Sequence, residues 1–221
     1  SATGIDVSGS RLNITNVSAL NNTAYGFLLQ GAGTRIFYST VNYSASLGIY
    51  SVLGNNDTIN GSKIYFNSGD GIFVSSIGSV NITFNDLAGN TNNNIRLAYI
   101  SGPTPVNNLI YGNTIRGKMA SNKRSSVGIY LDKSFNNNIS NNTFYNNTED
   151  IKLNPTNTTY CNNIIDGNID GLTNRQIRYY NSTLTNEVDN LTLAELILCN
   201  AGNSTINNIT INNSLDNLNN G

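Results

Sequence analysis

The sequence contains no histidine and no tryptophan, one methionine, two cysteines and three prolines. Without histidine there is no imidazole for acid–base work and none of the commonest metal ligand. A Ser-His-Asp hydrolase, a His-ligated zinc enzyme and a haem protein are therefore excluded. Charge is also scarce. Charged residues make up 11% of the chain, about half the usual share. The net charge of −1 offers no basic face for nucleic acid. No apolar run approaches the length of a membrane-spanning helix. No signal peptide opens the sequence, and Ser1-Ala2-Thr3-Gly4 reads as a mature end left after cleavage.

What is present is asparagine, 44 of 221 residues, with 20 glycines. The hydrophobic share, 38%, is too high and too evenly spread for a disordered tract. The sequence holds sixteen N-x-S/T sequons, at Asn13, Asn16, Asn21, Asn42, Asn56, Asn60, Asn81, Asn138, Asn141, Asn146, Asn157, Asn181, Asn190, Asn203, Asn208 and Asn212. Such a composition yields many by chance, but with few charges and much Ser, Thr and Tyr they favour an extracellular, cell-surface address carrying covalent N-glycans.

An internal repeat decides the fold. GIDV begins at Gly4, GFLL at Gly26, GIYS at Gly48, GIFV at Gly71, NIRL at Asn94, GIYL at Gly128 and DIKL at Asp150, in steps of 22, 22, 23, 23, 34 and 22. A second apolar marker follows each, at Ile14, Ile36, Ile59, Ile82, Ile110, Ile139 and Ile164. From Ile36 onward a third comes five residues later: Val41, Ile64, Leu87, Ile115, Phe144 and Ile169. Ala19 holds that place in the first coil, where Val17 is the alternative. Units of this length must bury their apolar side against their neighbours. Their short alternating segments, separated by Asn, Gly and Ser, read as strands joined by tight turns. Helical repeats are longer and leucine-rich repeats need regular Leu. Each unit is thus one turn of a parallel β-helix. Asn suits its corners because it tolerates left-handed backbone and its amide can bond the next coil in a ladder. The ladder is expected three residues after the second marker, at Ser39, Ser62, Asn85, Asn113 and Asn142, with Gly167 next and Asn168 beside it.

The stretches VNITFNDLAGN (80–90) and NNNISNNTFYNN (136–147) resemble the right-handed parallel β-helix repeats of the NosD-like, carbohydrate-binding and sugar-hydrolase superfamily. Residues 176–214, QIRYYNSTLTNEVDNLTLAELILCNAGNSTINNITINNS, are similar to a segment recurring in archaeal surface proteins of that kind. The resemblance implies a right-handed single-stranded β-helix over residues 1–221, of about eight coils. It leaves activity open, because this architecture hosts lyases, hydrolases, esterases, adhesins and spacers. Polygalacturonase-like enzymes carry NTD, DD, GHG and RIK motifs, whereas this chain has no histidine and no adjacent Asp pair. Copper handling, suggested by the NosD name, would need soft or imidazole ligands, and only Met119, Cys161 and Cys199 offer any.

Departures from the repeat mark the remaining candidates. The step of 34 places an insertion of about eleven residues at 117–127, expected to project as a loop. Arg116, Lys118, Lys123, Arg124 and Lys133 cluster around it as a patch for a partner or an acidic glycan. An irregular excursion is expected at 170–195. Within 189–200, Thr192 and Glu195 form a potential capping box, but the β-branched context favours a strand at ELILC. Asp70 and Asp150 share a register three coils apart, about 15 Å, too far for a catalytic pair, which needs about 5–10 Å. Asp57 and Asp132 have no evident acidic neighbour. Asp166 and Asp170 would make only a meagre calcium site. Cys161 and Cys199 lie in neighbouring coils and form either one disulfide or none.

No catalytic residue, cofactor or metal is assigned. Neither end shows a cap, and open strand edges invite another chain to pair. The expected function is therefore non-enzymatic and structural, a rigid glycosylated subunit stacking head to tail on copies of itself into a filament, sheath or surface layer. The alternative is a carbohydrate-binding or polysaccharide-degrading β-helix, which would use the basic insertion and exposed rings such as Tyr111, Tyr130 and Tyr145.

Overall fold

The computed structural model describes residues 2–53, 55–75, 78–98, 105–120, 123–124, 126–184 and 190–212. The chain winds as a right-handed parallel β-helix with three sheets along its length. The first sheet stacks Ile5–Val7, Phe27–Leu29, Ile49–Ser51, Ile72–Val74, Asn93–Ala98, Val127–Asp132 and Ile151–Asn154. The second runs from Asn13–Thr15 to Ile164–Asp166, also with seven strands. The third runs from Ser18–Leu20 to Ile169–Asp170 and continues irregularly beyond it. Seven regular rungs are followed by a reversal, the strand Arg175–Tyr180 running antiparallel to Ile169–Asp170, after which parallel pairing resumes between Ile177–Tyr180 and Glu195–Leu198 and between Thr192–Leu193 and Thr210–Ile211 among the described residues.

Most strands are three residues long, so the middle residue sets the face. In the second and third sheets it points inward; in the first it points outward between two inward neighbours. Ile5, Phe27, Ile49, Ile72, Ile95, Ile129 and Ile151 stand over one another. So do Val41, Ile64, Leu87, Ile115 and Phe144. Ala19 pairs with Val41 and keeps the first-coil position, while Val17 packs beside the core from a corner. Each inward Ile or Leu contributes about 1.5–3 kcal/mol by leaving water.

The last rung departs from the sequence pattern by one residue. Ile165, not Ile164, pairs with Ile139, and Asp170, not Ile169, pairs with Phe144. A slip of one exchanges the inner and outer faces, so Ile164 is exposed and Asp170 is buried. Asp170 then accepts from the Leu172 and Thr173 backbone N–H groups and the Thr173 hydroxyl, at 2.7–3.1 Å. Exposed Asp166 and buried Asp170 do not converge on a shared cation. The long rung also differs: its extra length is divided between two corners. Ile95 to Ile110 spans 15 positions against 10 for Ile72 to Ile82 in the rung before. Ile115 to Ile129 spans 14 against 8 for the equivalent step, Leu87 to Ile95. The second of these corners carries a small antiparallel hairpin, Met119–Ala120 with Lys123–Arg124; residues 121, 122 and 125 lie outside the described set.

Asparagine secures the register at three corners, where one ladder is expected. Between the second and third sheets the Ser39 N–H donates to Ser62 Oγ at 3.1 Å and Ser62 N–H to Asn85 Oδ1 at 2.9 Å. The run continues through Asn113, Asn142 and Asn168, each Oδ1 taking both the backbone N–H and the amide of the rung before at 2.9–3.1 Å. Asn168 rather than Gly167 holds the last place. A second ladder, interrupted at Val80, has Asp57 accepting the Thr34 N–H and then Asn108, Asn137 and Asn163 accepting in turn before the second sheet. A third passes through Asn67 and Asn90 after the third sheet. Burial raises the carboxyl of Asp57, although Thr34 N–H and Ser51 Oγ donate to it.

The C-terminal segment covers the end of the core. Residues Glu195–Leu198 form a strand, parallel to Ile177–Tyr180, so Thr192 and Glu195 form no helical cap. Ile177 and Ala194 join the hydrophobic core, and Glu195 Oε2 accepts the Ile151 N–H at 3.1 Å. The segment thus meets the last first-sheet strand at Ile151, while Glu195–Leu198 is itself the end strand of its sheet. Cys161, ending the 3-10 turn Thr158–Cys161, forms a disulfide with Cys199, their Cα atoms 5.5 Å apart. Asp150 stands in the column of Gly71 and Gly128, one position from that of Asp70. Its acidic neighbour is Glu195, whose carboxyl is raised well above the ordinary 4.5 by burial first and by Asp150 next.

Replacing Asn113 by Ala should lower stability by about 2–4 kcal/mol, because four hydrogen-bonding groups on two other rungs each lose a bond; urea unfolding checks this. The raised Glu195 favours its neutral form in the folded chain, so its contribution is present below about pH 4.5 and is lost as pH rises through the folded value. Glu195→Gln should raise the thermal midpoint near neutral pH and flatten part of its decline as pH rises above about 4.5.

Candidate functional site

The outer face of the third sheet gathers polar and aromatic groups. Its outward rows run Thr40, Lys63, Asp86, Thr114, Thr143 and Asn42, Tyr65, Ala88, Arg116, Tyr145. Asp86 is the centre. Tyr65 donates its hydroxyl to Asp86 Oδ2 at 2.6 Å, and Arg116 forms an ion pair with Asp86 Oδ1. Arg116 also lies 5.5 Å above the Tyr145 ring. Burial first, then the hydrogen bond to Asp86, pushes the Tyr65 phenol up to about 12. Tyr65 therefore stays a donor at ordinary pH.

Aromatic rings border this face at both corners. Tyr38 and Phe84 precede the third-sheet strands of their rungs, and Tyr43 and Phe66 follow them. All four have φ between 50° and 55°, a left-handed backbone that bulky residues seldom adopt, and they are 49–66% exposed. The next rung leaves room for three of the rings by having glycine at the same place. A Cβ on Gly61 would come within 2.7 Å of the Tyr38 ring, one on Gly89 within 2.5 Å of Phe66, and one on Gly112 within 2.7 Å of Phe84. Tyr43 and Phe66 stack with centroids 5.4 Å apart and planes 17° apart. The arrangement is a flat polar strip between two ridges of exposed ring.

The sequence-predicted residues are only partly brought together. Arg116 lies on the strip. Lys118 follows it at the hairpin corner, where its ammonium reaches Thr91 Oγ1 at 3.1 Å. Lys123 and Arg124 form the second hairpin strand, and their side chains lie outside the described set. Lys133 does not join them: the first-sheet strand Val127–Asp132 intervenes, about 20 Å of extended chain. Tyr111, Tyr130 and Tyr145 are half-buried rather than exposed, because Phe84 packs edge-on against Tyr111, and Arg96 and Arg116 cover Tyr130 and Tyr145. The rings that are exposed escaped sequence reasoning. Their signal was an aromatic alternating with glycine down one repeat column. The sixteen sequon asparagines are all exposed or half-buried, and none belongs to the ladder positions named above.

The outer face of the first sheet is a closed stack. Tyr50 and Phe73 lie 5.1 Å apart and nearly parallel, and Arg96 sits 5.0 Å over Phe73 and 5.7 Å from the Tyr130 ring. Asp70 and Asp132 flank Arg96 at 3.9 and 3.8 Å, so Asp132 does have an acidic counterpart, bridged by a guanidinium. Phe73 and Asp70 are buried, and Asp70 Oδ1 already accepts the Asn93 backbone and amide N–H groups. Burial raises the Asp70 carboxyl. Among the described residues no group of three or more His, Cys, Asp or Glu could hold a metal ion, and no helix is long and apolar enough to cross a membrane.

None of the curated proteins matches the chain in sequence. Among solved structures it is similar to a double mutant of the periplasmic alginate epimerase AlgG, with 17% identity and a TM-score of 0.56 over 95% of this chain and 48% of that one. A second structure of AlgG gives 17% identity and a TM-score of 0.52, over 95% and 50%. The chain thus spans about half the length of these proteins, and the likeness is one of fold. The family described as "Right handed beta helix region" matches residues 3–118, and with three parallel sheets wound rung upon rung the chain belongs to that family.

Proposed function

We propose that the chain is an extracellular carbohydrate-binding β-helix that holds an extended glycan along the outer face of the third sheet. The single observation that carries this is the pair of exposed aromatic ridges, held in strained backbone above glycines, on either side of Asp86 and Arg116. Sugar rings present C–H faces that pack on aromatic rings and hydroxyls that need donors and acceptors beside them. Tyr38 and Phe84 are two rungs apart, about 10 Å, a spacing that suits alternate sugars of an extended chain. A scaffold already rigid before binding loses little freedom on association.

Binding, rather than cleavage, suits this face because Asp86 is the one carboxylate in its outward rows and is engaged by Tyr65 and Arg116. The AlgG structures carry the name of an enzyme acting on a polysaccharide, which is in keeping with a glycan ligand.

Affinity electrophoresis of the purified chain through gels containing neutral polysaccharides tests the reading. The chain should be retarded, and Tyr38→Asn and Phe84→Asn should each weaken binding about tenfold with the melting temperature kept, since Asn accepts the left-handed backbone. Equal retardation of a folded double variant, or free passage through every polysaccharide, would overturn it.

A further inference from the structure

A different surface carries a second site. A pocket of about 340 Å³ opens at the corner leading into the second sheet of the first rungs, lined by Arg11, Asn13, Gly33, Arg35, Asn55 and Asn56 together with Ala32. This volume suits one sugar unit. Arg35 stands directly beside Asn13 in the second sheet. Arg11 is at the corner, φ 61°, where its N–H donates to the Ala32 carbonyl at 2.8 Å. Its stem lies against Gly33: a Cβ there would come 3.4 Å from Arg11 Cγ, and Gly33 itself has φ 75°. The Gly33 N–H donates to the Asn55 carbonyl at 2.8 Å. Backbone bonds from two successive rungs therefore fix the corner from which Arg11 extends.

The charge of these two arginines is uncompensated. Ion pairs join Arg96 to Asp70 and Asp132, Arg116 to Asp86, and Lys152 to Glu149; among the described residues Arg11 and Arg35 take part in none. No carboxylate lines the pocket. The nearby Asp57 is buried, with its oxygens held by Thr34 N–H and Ser51 Oγ, and Asp6 accepts from the Gln30 amide. Two guanidiniums with amides around them form the donor set that recognises an oxyanion with hydroxyls beside it.

We propose that this pocket binds the anionic group of an acidic saccharide, with Arg11 and Arg35 on the oxyanion and Asn13, Asn55 and Asn56 on neighbouring hydroxyls. The site is separate from the third-sheet face and does not depend on that reading. It also bears on modification, because Asn13 and Asn56 are both sequon residues; an N-glycan on either would fill the pocket, so the two uses exclude each other.

Calorimetric titration of unglycosylated chain with a galacturonate trisaccharide, a sulfated trisaccharide, a neutral trisaccharide of equal length and inorganic phosphate tests the proposal. At least one acidic trisaccharide should bind better than the neutral one and lose affinity with added salt, and the preferred one tells carboxylate from sulfate. Arg11→Gln and Arg35→Gln should each cost about tenfold, with Arg35→Lys intermediate because it keeps charge but not the fork. The Tyr38→Asn, Phe84→Asn double variant should titrate like the parent, which separates this site from the third-sheet face. Equal affinity for acidic and neutral sugars, phosphate binding as tightly as the acidic sugar, or unchanged affinity in both folded Gln variants would overturn the proposal.

Discussion

At corner after corner along the rod, a side-chain oxygen of Ser, Asp or Asn accepts the peptide N–H of the rung before it, and the register of the strands depends on that bond. Backbone pairing between parallel strands would tolerate a slip of one residue, and a slip would turn the inner face outward. The amide of an asparagine cannot slip, because its own N–H groups must meet the next amide in turn. The last rung shows the ladder overruling hydrophobic order: Asn168 takes its place beneath Asn142, Ile164 is left exposed and Asp170 is drawn inward.

Much of the fold could be read from spacing alone. The columns from Ile5 to Ile151 and from Val41 to Phe144 pair as their intervals imply, because identical neighbours at a fixed rise demand identical path lengths. What spacing could not reveal follows from other physics. Ile164 and Ile165 are adjacent and equally apolar, so only the amide beside them distinguishes the register. Counting from Asn94 to Gly128 samples only the first sheet and lumps the extra length of the fifth rung together; the steps of 28 from Ile82 to Ile110 and 29 from Ile110 to Ile139 divide it. Glu195 and Asp150, far apart in sequence, meet only because the C-terminal segment folds back over the core.

The candidate site was less legible for a steric reason. A tyrosine or phenylalanine two residues after an inward isoleucine reads by alternation as another core residue. Tyr38, Tyr43, Phe66 and Phe84 instead occupy left-handed corners, where the chain direction changes and alternation stops. Their rings then lie outside, three of them over a glycine of the neighbouring rung and Tyr43 stacked on Phe66. Alternation places Tyr111, Tyr130 and Tyr145 outward, but Arg96 and Arg116 in the same rows cover Tyr130 and Tyr145, and the corner ring of Phe84 covers Tyr111. Exposure in a solenoid is thus set by what occupies the same column one rung away.

The rung from Ile95 to Ile129 has a consequence for how such a chain can change. Its additional residues leave the strands on either side in their ordinary pairing, so the corner after Arg116 absorbs length without transmitting it. Corners of this kind are graft points. A lineage can vary the protrusions it displays, in size and chemistry, while the interior that keeps the rod upright goes unaltered.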